Sequence, residues 1–267
     1  MKRSLAVALM LAAAAATPAI AADAREFCPD RPGLGTPACT MNAGRIAVEI
    51  GIVDWTLERD AESRTDTIVG GDTLVRLGID DATEVQVGWT AFGHVRTRDR
   101  ATGMVDRASG TGDVTLAVRR NLRNPDGSGV SFAVMPYATL PTGGSTIGAG
   151  DWGAGLIVPI SFDLGRGLSL GLSPEIDAAV DEDRDGRHLA YGSVIGLGLD
   201  FSAAVSATLE FAATRDRDPD GRATQALAGL SMAWTPEEDT QLDVGVNAGL
   251  NHATADVQVY AGIARRF

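Results

Sequence analysis

Two acidic runs, Asp181-x-Asp183-x-Asp185-Gly186 and Asp216-x-Asp218-x-Asp220-Gly221, place carboxylates at alternate positions ahead of a glycine. That spacing opens a calcium loop, in which alternate oxygens wrap the ion and the glycine makes the bend. The twelfth positions, Gly192 and Leu227, lack the bidentate glutamate, and Arg184, Arg187, Arg215, Arg217 and Arg222 lie among the acids. The six aspartates are therefore weak calcium candidates. The favoured reading is a pair of solvated mixed-charge hairpins, with no metal and no cofactor expected. His94, His188 and His252 could serve a nucleophile, but none is followed by a serine two residues on. An enzyme needs a serine, a histidine and an orienting acid or amide brought together, and no catalytic residue is assigned. Cys28 and Cys39 bracket a run rich in Pro and Gly. In an exported chain they form a structural disulfide, worth roughly 3 kcal/mol for a loop of that size, rather than a redox or metal pair.

Export follows from the N-terminus. Lys2 and Arg3 precede an apolar stretch from Leu5 to Ala16, and Ala19-Ile20-Ala21-Ala22 offers an A-x-A cleavage site. Residues 1–22 read as a signal peptide, residues 23–43 as an N-terminal periplasmic segment carrying the disulfide, and residues 44–267 as one domain. The chain of 267 residues has a formal net charge of −12, and no basic stripe suits it to nucleic acid. Beyond the leader no apolar run is long enough for a membrane helix. The 32 glycines, with many Val, Ile and Thr, point to strands.

From Gly44 the apolar residues recur with period two, over twelve segments at about 45–57, 66–78, 83–97, 110–122, 129–141, 153–164, 167–181, 188–201, 203–215, 223–235, 240–250 and 255–267. Most exceed the five or six residues usual in a soluble sheet and suffice for a tilted membrane strand. Tight turns at Asp80-Asp81, Gly165-Arg166-Gly167, Phe201-Ser202-Ala203 and Pro236-Glu237-Glu238-Asp239 alternate with longer loops at Thr97–Ser109, Pro141–Trp152, Asp181–Arg187 and Arg215–Arg222. Short turns on one side and long loops on the other, with an even strand number, predict a closed antiparallel transmembrane β-barrel of about 12 strands, an all-β fold, in the outer membrane of a Gram-negative bacterium. A soluble sandwich or lipocalin-like barrel shows the same alternation with its apolar face turned inward. Phe162, Phe201, Trp234 and Phe267 favour lipid, because they fall at the ends of descending strands and predict an aromatic girdle. The opposite face supplies candidate lumen-lining residues: Glu49, Asp72, Arg76, Glu84, Arg96, Arg119, Glu175, Asp177, Glu210 and Asp243, with Phe92, Met135, Tyr137 and Tyr260 also projecting inward. These groups either pair with one another and fill the lumen or face a solute.

Several short motifs carry a family likeness. Gly70-Gly71-Asp72 leads into Thr73–Gly78, and Gly110-Thr111-Gly112-Asp113 leads into Val114–Arg120. Leu140-Pro141-Thr142-Gly143-Gly144 and Gly262-Ile263-Ala264-Arg265-Arg266-Phe267 complete the set. Over roughly 44–267 the chain resembles the MetA-pathway phenol-degradation family of outer-membrane transporters, with the Cys28–Cys39 segment outside the likeness. The resemblance implies passage of aromatic or other hydrophobic small molecules, contact with membrane lipid, and insertion by the outer-membrane assembly machinery through a C-terminal signal ending on Phe267. A non-transporting structural barrel is the alternative.

Overall fold

The structure is a computed structural model that describes residues 25–267; the leader expected over 1–22 lies outside the described residues. Fourteen strands follow one another: β1 Ile46–Arg59, β2 Ser63–Asp80, β3 Thr83–Asp99, β4 Val105–Gly110, β5 Val114–Arg123, β6 Val130–Leu140, β7 Gly153–Ile157, β8 Ile160–Gly165, β9 Leu168–Val180, β10 Arg187–Ser202, β11 Val205–Asp216, β12 Thr224–Glu237, β13 Thr240–Gly249 and β14 Val257–Arg266. They occupy twelve positions of a closed antiparallel barrel. β4 and β5 share one position beside β3, and β7 and β8 share one between β6 and β9. Closure is made by β1 and β14, paired from Ala47↔Arg266 to Leu57↔Val257. Every described strand except β4, which pairs with β3 alone, is paired on both sides, as a backbone surrounded by hydrocarbon requires.

The distribution of side chains decides between the lipid and the soluble reading. The fully buried large side chains include Arg76, Arg119, Glu49, Glu84 and Asn247, whereas Ile52, Leu209, Leu230, Val244 and Phe211 are exposed. A soluble barrel would reverse that order, because burying apolar surface drives its folding. Here the apolar surface faces outward as a continuous coat and the charges face in, as in an outer-membrane barrel.

Two local features refine the strands. Val158 and Pro159 interrupt the sixth segment because proline has no N–H for the ladder; the Pro159 carbonyl instead accepts the Ala133 N–H at 2.9 Å. The stretch expected as a long loop at Thr97–Ser109 is mostly ladder: β3 runs on to Asp99, and β4 pairs with it from Arg98↔Val105 to Gly93↔Gly110. This extracellular extension carries a break in alternation. Asp72 and Thr90 share a lumen cavity with Val69, so Gly70-Gly71 of β2 are passed over as a pair. Gly71, at φ +67°, takes a left-handed turn that suits glycine.

The break reverses the faces above it. Phe92 lies exposed rather than inward, and Arg96 pairs with Asp66 in the outward row that also holds Ile68↔His94. Arg96 therefore does not line the lumen; its guanidinium sits 3.6 Å from Asp66. Phe162, Phe201, Trp234 and Phe267 lie close to the short turns. Phe201, Trp234 and Phe267 are each more than half exposed, and Phe162 is half-buried between Val130 and Leu170.

Candidate functional site

The segment ahead of β1 does not hang in the periplasm as a separate unit. It enters the short-turn half of the barrel and lies against the lumen wall. The reason is chemical: a ring of wall charges with no wall partner enough to neutralise it meets a loop rich in free N–H groups and carrying Asp30 and Arg31. Asp30 and Arg31 donate their backbone N–H groups to Glu49 at 3.0 and 2.9 Å. Leu34 and Gly35 donate theirs to Glu210, both at 2.8 Å, and Met41 donates to Glu84 at 2.7 Å. Thr36 exchanges a pair of hydrogen bonds with Ser173, and Asn121 donates to the Ala38 carbonyl at 2.7 Å.

The side chains complete the lock. Arg76 grips Glu84 with Nε and Nη2, both at 3.0 Å, and turns Nη1 to Glu49 at 3.0 Å and to the Cys28 carbonyl at 2.7 Å. Arg119 forks onto Asp30 at 2.9 and 2.6 Å and also reaches the Cys39 carbonyl. The Arg31 side chain reaches across β14 to β13, where Nη2 and Nε donate to Asp243 at 2.9 and 3.2 Å and the guanidinium lies over Tyr260. Such charge-assisted forks hold both direction and distance. The disulfide Cys28–Cys39 is formed and closes the segment into a ring around these contacts.

Glycines on both partners make the fit possible. Gly33 stands at φ +117°, and a Cβ there would meet Glu210 Oε2 at 2.7 Å. On the wall, a Cβ at Gly262 would sit 2.4 Å from the Arg31 guanidinium.

Of the residues expected in the lumen, Glu49, Arg76, Glu84, Arg119, Glu210 and Asp243 are thus spent on the plug. Tyr260 lies under the Arg31 guanidinium, and Asp72, Tyr137, Glu175 and Asp177 make their hydrogen bonds within the wall. Asp72 accepts from Thr90 at 2.8 Å. The Tyr137 hydroxyl lies between two carboxylates, within hydrogen-bond distance of Glu175 at 2.6 Å and of Asp177. Met135 packs with Ala117 and Ile157 beside Arg119.

Space remains around the plug. A cavity of about 260 Å³ runs between residues 28–37 and the β8–β13 wall, lined by small and hydroxyl side chains such as Ser169, Gly171, Thr208 and Ser231. Toward the short turns it shares Ser206 and Gln241 with a second cavity of about 390 Å³. Toward the long loops it shares Arg31 and Pro32 with a third of about 180 Å³ bounded by Asp54, Asp72 and Tyr260. Arg31 thus lines both the upper and the lower space.

The acidic loops do not form two calcium half-loops. Asp183 and Asp220 take part in short-range loop contacts, with Asp185 N–H on Asp183 at 2.9 Å and Asp220 N–H on Asp218 at 2.8 Å. Asp181, Asp216 and Asp218 instead converge on His188. Asp218 lies outside the membrane span, and hydrogen bonds from the Asp220 and Glu182 N–H groups, with His188 beside it, hold its carboxyl below the usual range against the cost of burial. One serine–histidine contact is present: His94 Nδ1 and Ser109 Oγ are 2.8 Å apart across β3 and β4. Ser109 is exposed and His94 half-buried, and among the described residues no carboxylate is bonded to the other ring nitrogen, so the orienting member of a triad is not assembled there.

A family model described as "Putative MetA-pathway of phenol degradation" matches residues 29–267. The chain belongs to this family. The match begins one residue after Cys28 and so takes in most of the plug, which corrects the expectation that the likeness starts near residue 44. The MetA-pathway family chain shares its barrel with the NanC porin, at a TM-score of 0.52 and 8% identity over 82% of this chain and 98% of that one. The KdgM porin follows at 0.46 and 9% identity, covering 80% and 98%, and the CymD monoaromatic hydrocarbon channel at 0.45 and 8%, covering 85% and 88%. No curated protein matches the chain.

Proposed function

We propose that this protein is a narrow outer-membrane channel for small molecules, with aromatic or similarly hydrophobic compounds as its solute class. The observation that carries the channel reading is the succession of neighbouring cavities past the plug, with Arg31 and Pro32 lining two of them on one side and Ser206 and Gln241 lining two on the other. The aromatic class rests on membership of the phenol-degradation family. No step of chemistry is needed. The wall residues fix the plug, and Arg31 lines the cavities on either side of it.

Conductance of the purified barrel in a planar bilayer tests this reading. A small, steady conductance is expected from the native chain, and a larger one from Arg31→Ala. Zero conductance from both would remove the channel. The number of polar contacts that hold the plug favours a second reading, a structural barrel that carries nothing, and that reading expects zero from both chains.

A further inference from the structure

We infer that His188, Asp181 and Asp218 form a binding site for a divalent transition-metal ion such as zinc, stapling two extracellular loops together at the mouth of the barrel. His188 is the second residue of β10, and Asp218 lies in the loop that follows β11. One donor atom from each of Asp181, His188 and Asp218 lies within 4.8 Å of the other two. Nδ1 stands 2.9 Å from Asp181 and 3.3 Å from Asp218. Zinc bonds of about 2.0–2.2 Å would put tetrahedral donor atoms about 3.3–3.6 Å apart, so the two imidazole–carboxylate distances need change by only a few tenths of an ångström.

Three features go beyond a cluster of acids. First, the His188 side chain is 6% exposed, and its Nε2 has no hydrogen-bond partner. Asp216 Oδ1 is 2.8 Å from that nitrogen but off the N–H axis. A small turn of the ring completes the carboxylate–histidine–metal arrangement, in which the ring nitrogen not on the metal donates to an acid. Secondly, one Nδ1 faces two carboxylates, and a single ring proton cannot serve both. A cation can. Thirdly, the arginines expected to neutralise these loops are engaged elsewhere. Arg187 pairs with Asp151 at 2.9 Å and stacks on Trp152, Arg215 donates to Thr224, and Arg217 donates to Tyr191. Among the described residues, no arginine forms an ion pair with Asp181, Asp216 or Asp218.

The loops are already shaped for closure. Glu182 of the first loop donates its N–H to Asp218 of the second at 2.8 Å. Gly186 leaves room for Asp181, since a Cβ there would lie 2.4 Å from Asp181 Oδ2. Imidazole with carboxylates suits zinc or its neighbours better than calcium, which asks for six or more oxygens.

Zinc titration of the detergent-refolded full barrel by calorimetry tests the site, with heat-modifiability on gels confirming that each variant is folded. One zinc per barrel is expected, weakened at least tenfold in both His188→Ala and Asp218→Asn and unchanged in Asp183→Asn. Bound zinc should also slow trypsin cleavage after Arg184 and Arg217 at least fivefold in the native chain and not in His188→Ala. Absence of zinc binding, binding untouched by His188→Ala, or an equal loss in Asp183→Asn would each overturn the assignment.

Discussion

Arg31→Ala is the perturbation that bears most directly on the plug. It removes both hydrogen bonds to Asp243, whose side chain is wholly buried, and leaves that carboxylate without its cation. Breaking one partner of a buried ion pair costs about 3–5 kcal/mol. Arg31 is itself 18% exposed, so lumen water already reaches it and the low end, about 3 kcal/mol, applies. The barrel is held by its closed ladder, so the loss falls on the plug's attachment rather than on the fold. Hydrogen exchange reads that attachment, because Leu34 and Gly35 N–H groups are protected by Glu210 and exchange when the segment leaves the wall. A loss of 3 kcal/mol speeds exchange of the 28–39 ring by roughly a hundredfold. Amides of β11 serve as the unchanged control. Removing Asp243 as well should recover part of the loss, since no unpaired charge remains. Ring exchange within threefold of the native rate in Arg31→Ala would refute the reasoning.

Further outcomes follow from the same contacts. Replacing Cys28 and Cys39 with serine removes a loop constraint worth roughly 3 kcal/mol, so the ring should exchange faster while the barrel still runs as a heat-modifiable band. Gly262→Val places side-chain atoms where the Arg31 guanidinium lies, and it should raise bilayer conductance as Arg31→Ala does; unchanged conductance would contradict that placement. Phe267→Ala removes an outward ring worth at most about 1.5–3 kcal/mol of burial, so the purified variant should still refold in detergent. Its level in cellular outer membranes should fall more than that of Phe162→Ala, and equal levels would reduce Phe267 to one girdle aromatic among four.

The barrel was legible because lipid on one side and water on the other impose period two on every strand. β9 shows it from Leu168 to Val180 without interruption. Legibility failed where alternation itself fails. Gly70-Gly71 reads as continuing strand, yet it turns Phe92 and Arg96 outward. The plug was hidden for a different reason. Residues 28–39 carry prolines and glycines with no period, which is the pattern of a solvated loop, and their partners are far away in sequence. Asp243 lies 212 positions from Arg31, and Glu210 lies 176 from Leu34. Two signals pointed to an occupant. Inward glycines such as Gly78 and Gly262 leave room for another chain segment, and a Cβ at Gly78 would stand 2.0 Å from the Asn42 carbonyl. Glu210 also has no basic partner along its own lumen face and needs donors from elsewhere. The His188 cluster shows the same limit: the acidic spacing was visible, but the convergence of two loops on one histidine required the register of β9, β10 and β11.

The most direct test of the channel account is uptake of a small aromatic anion, benzoate, by liposomes containing the purified native barrel or its Arg31→Ala variant. The account predicts uptake above empty liposomes for the native chain, exclusion of a trisaccharide, and faster benzoate uptake for the variant. Benzoate uptake no greater than that of empty liposomes in both proteins would contradict it.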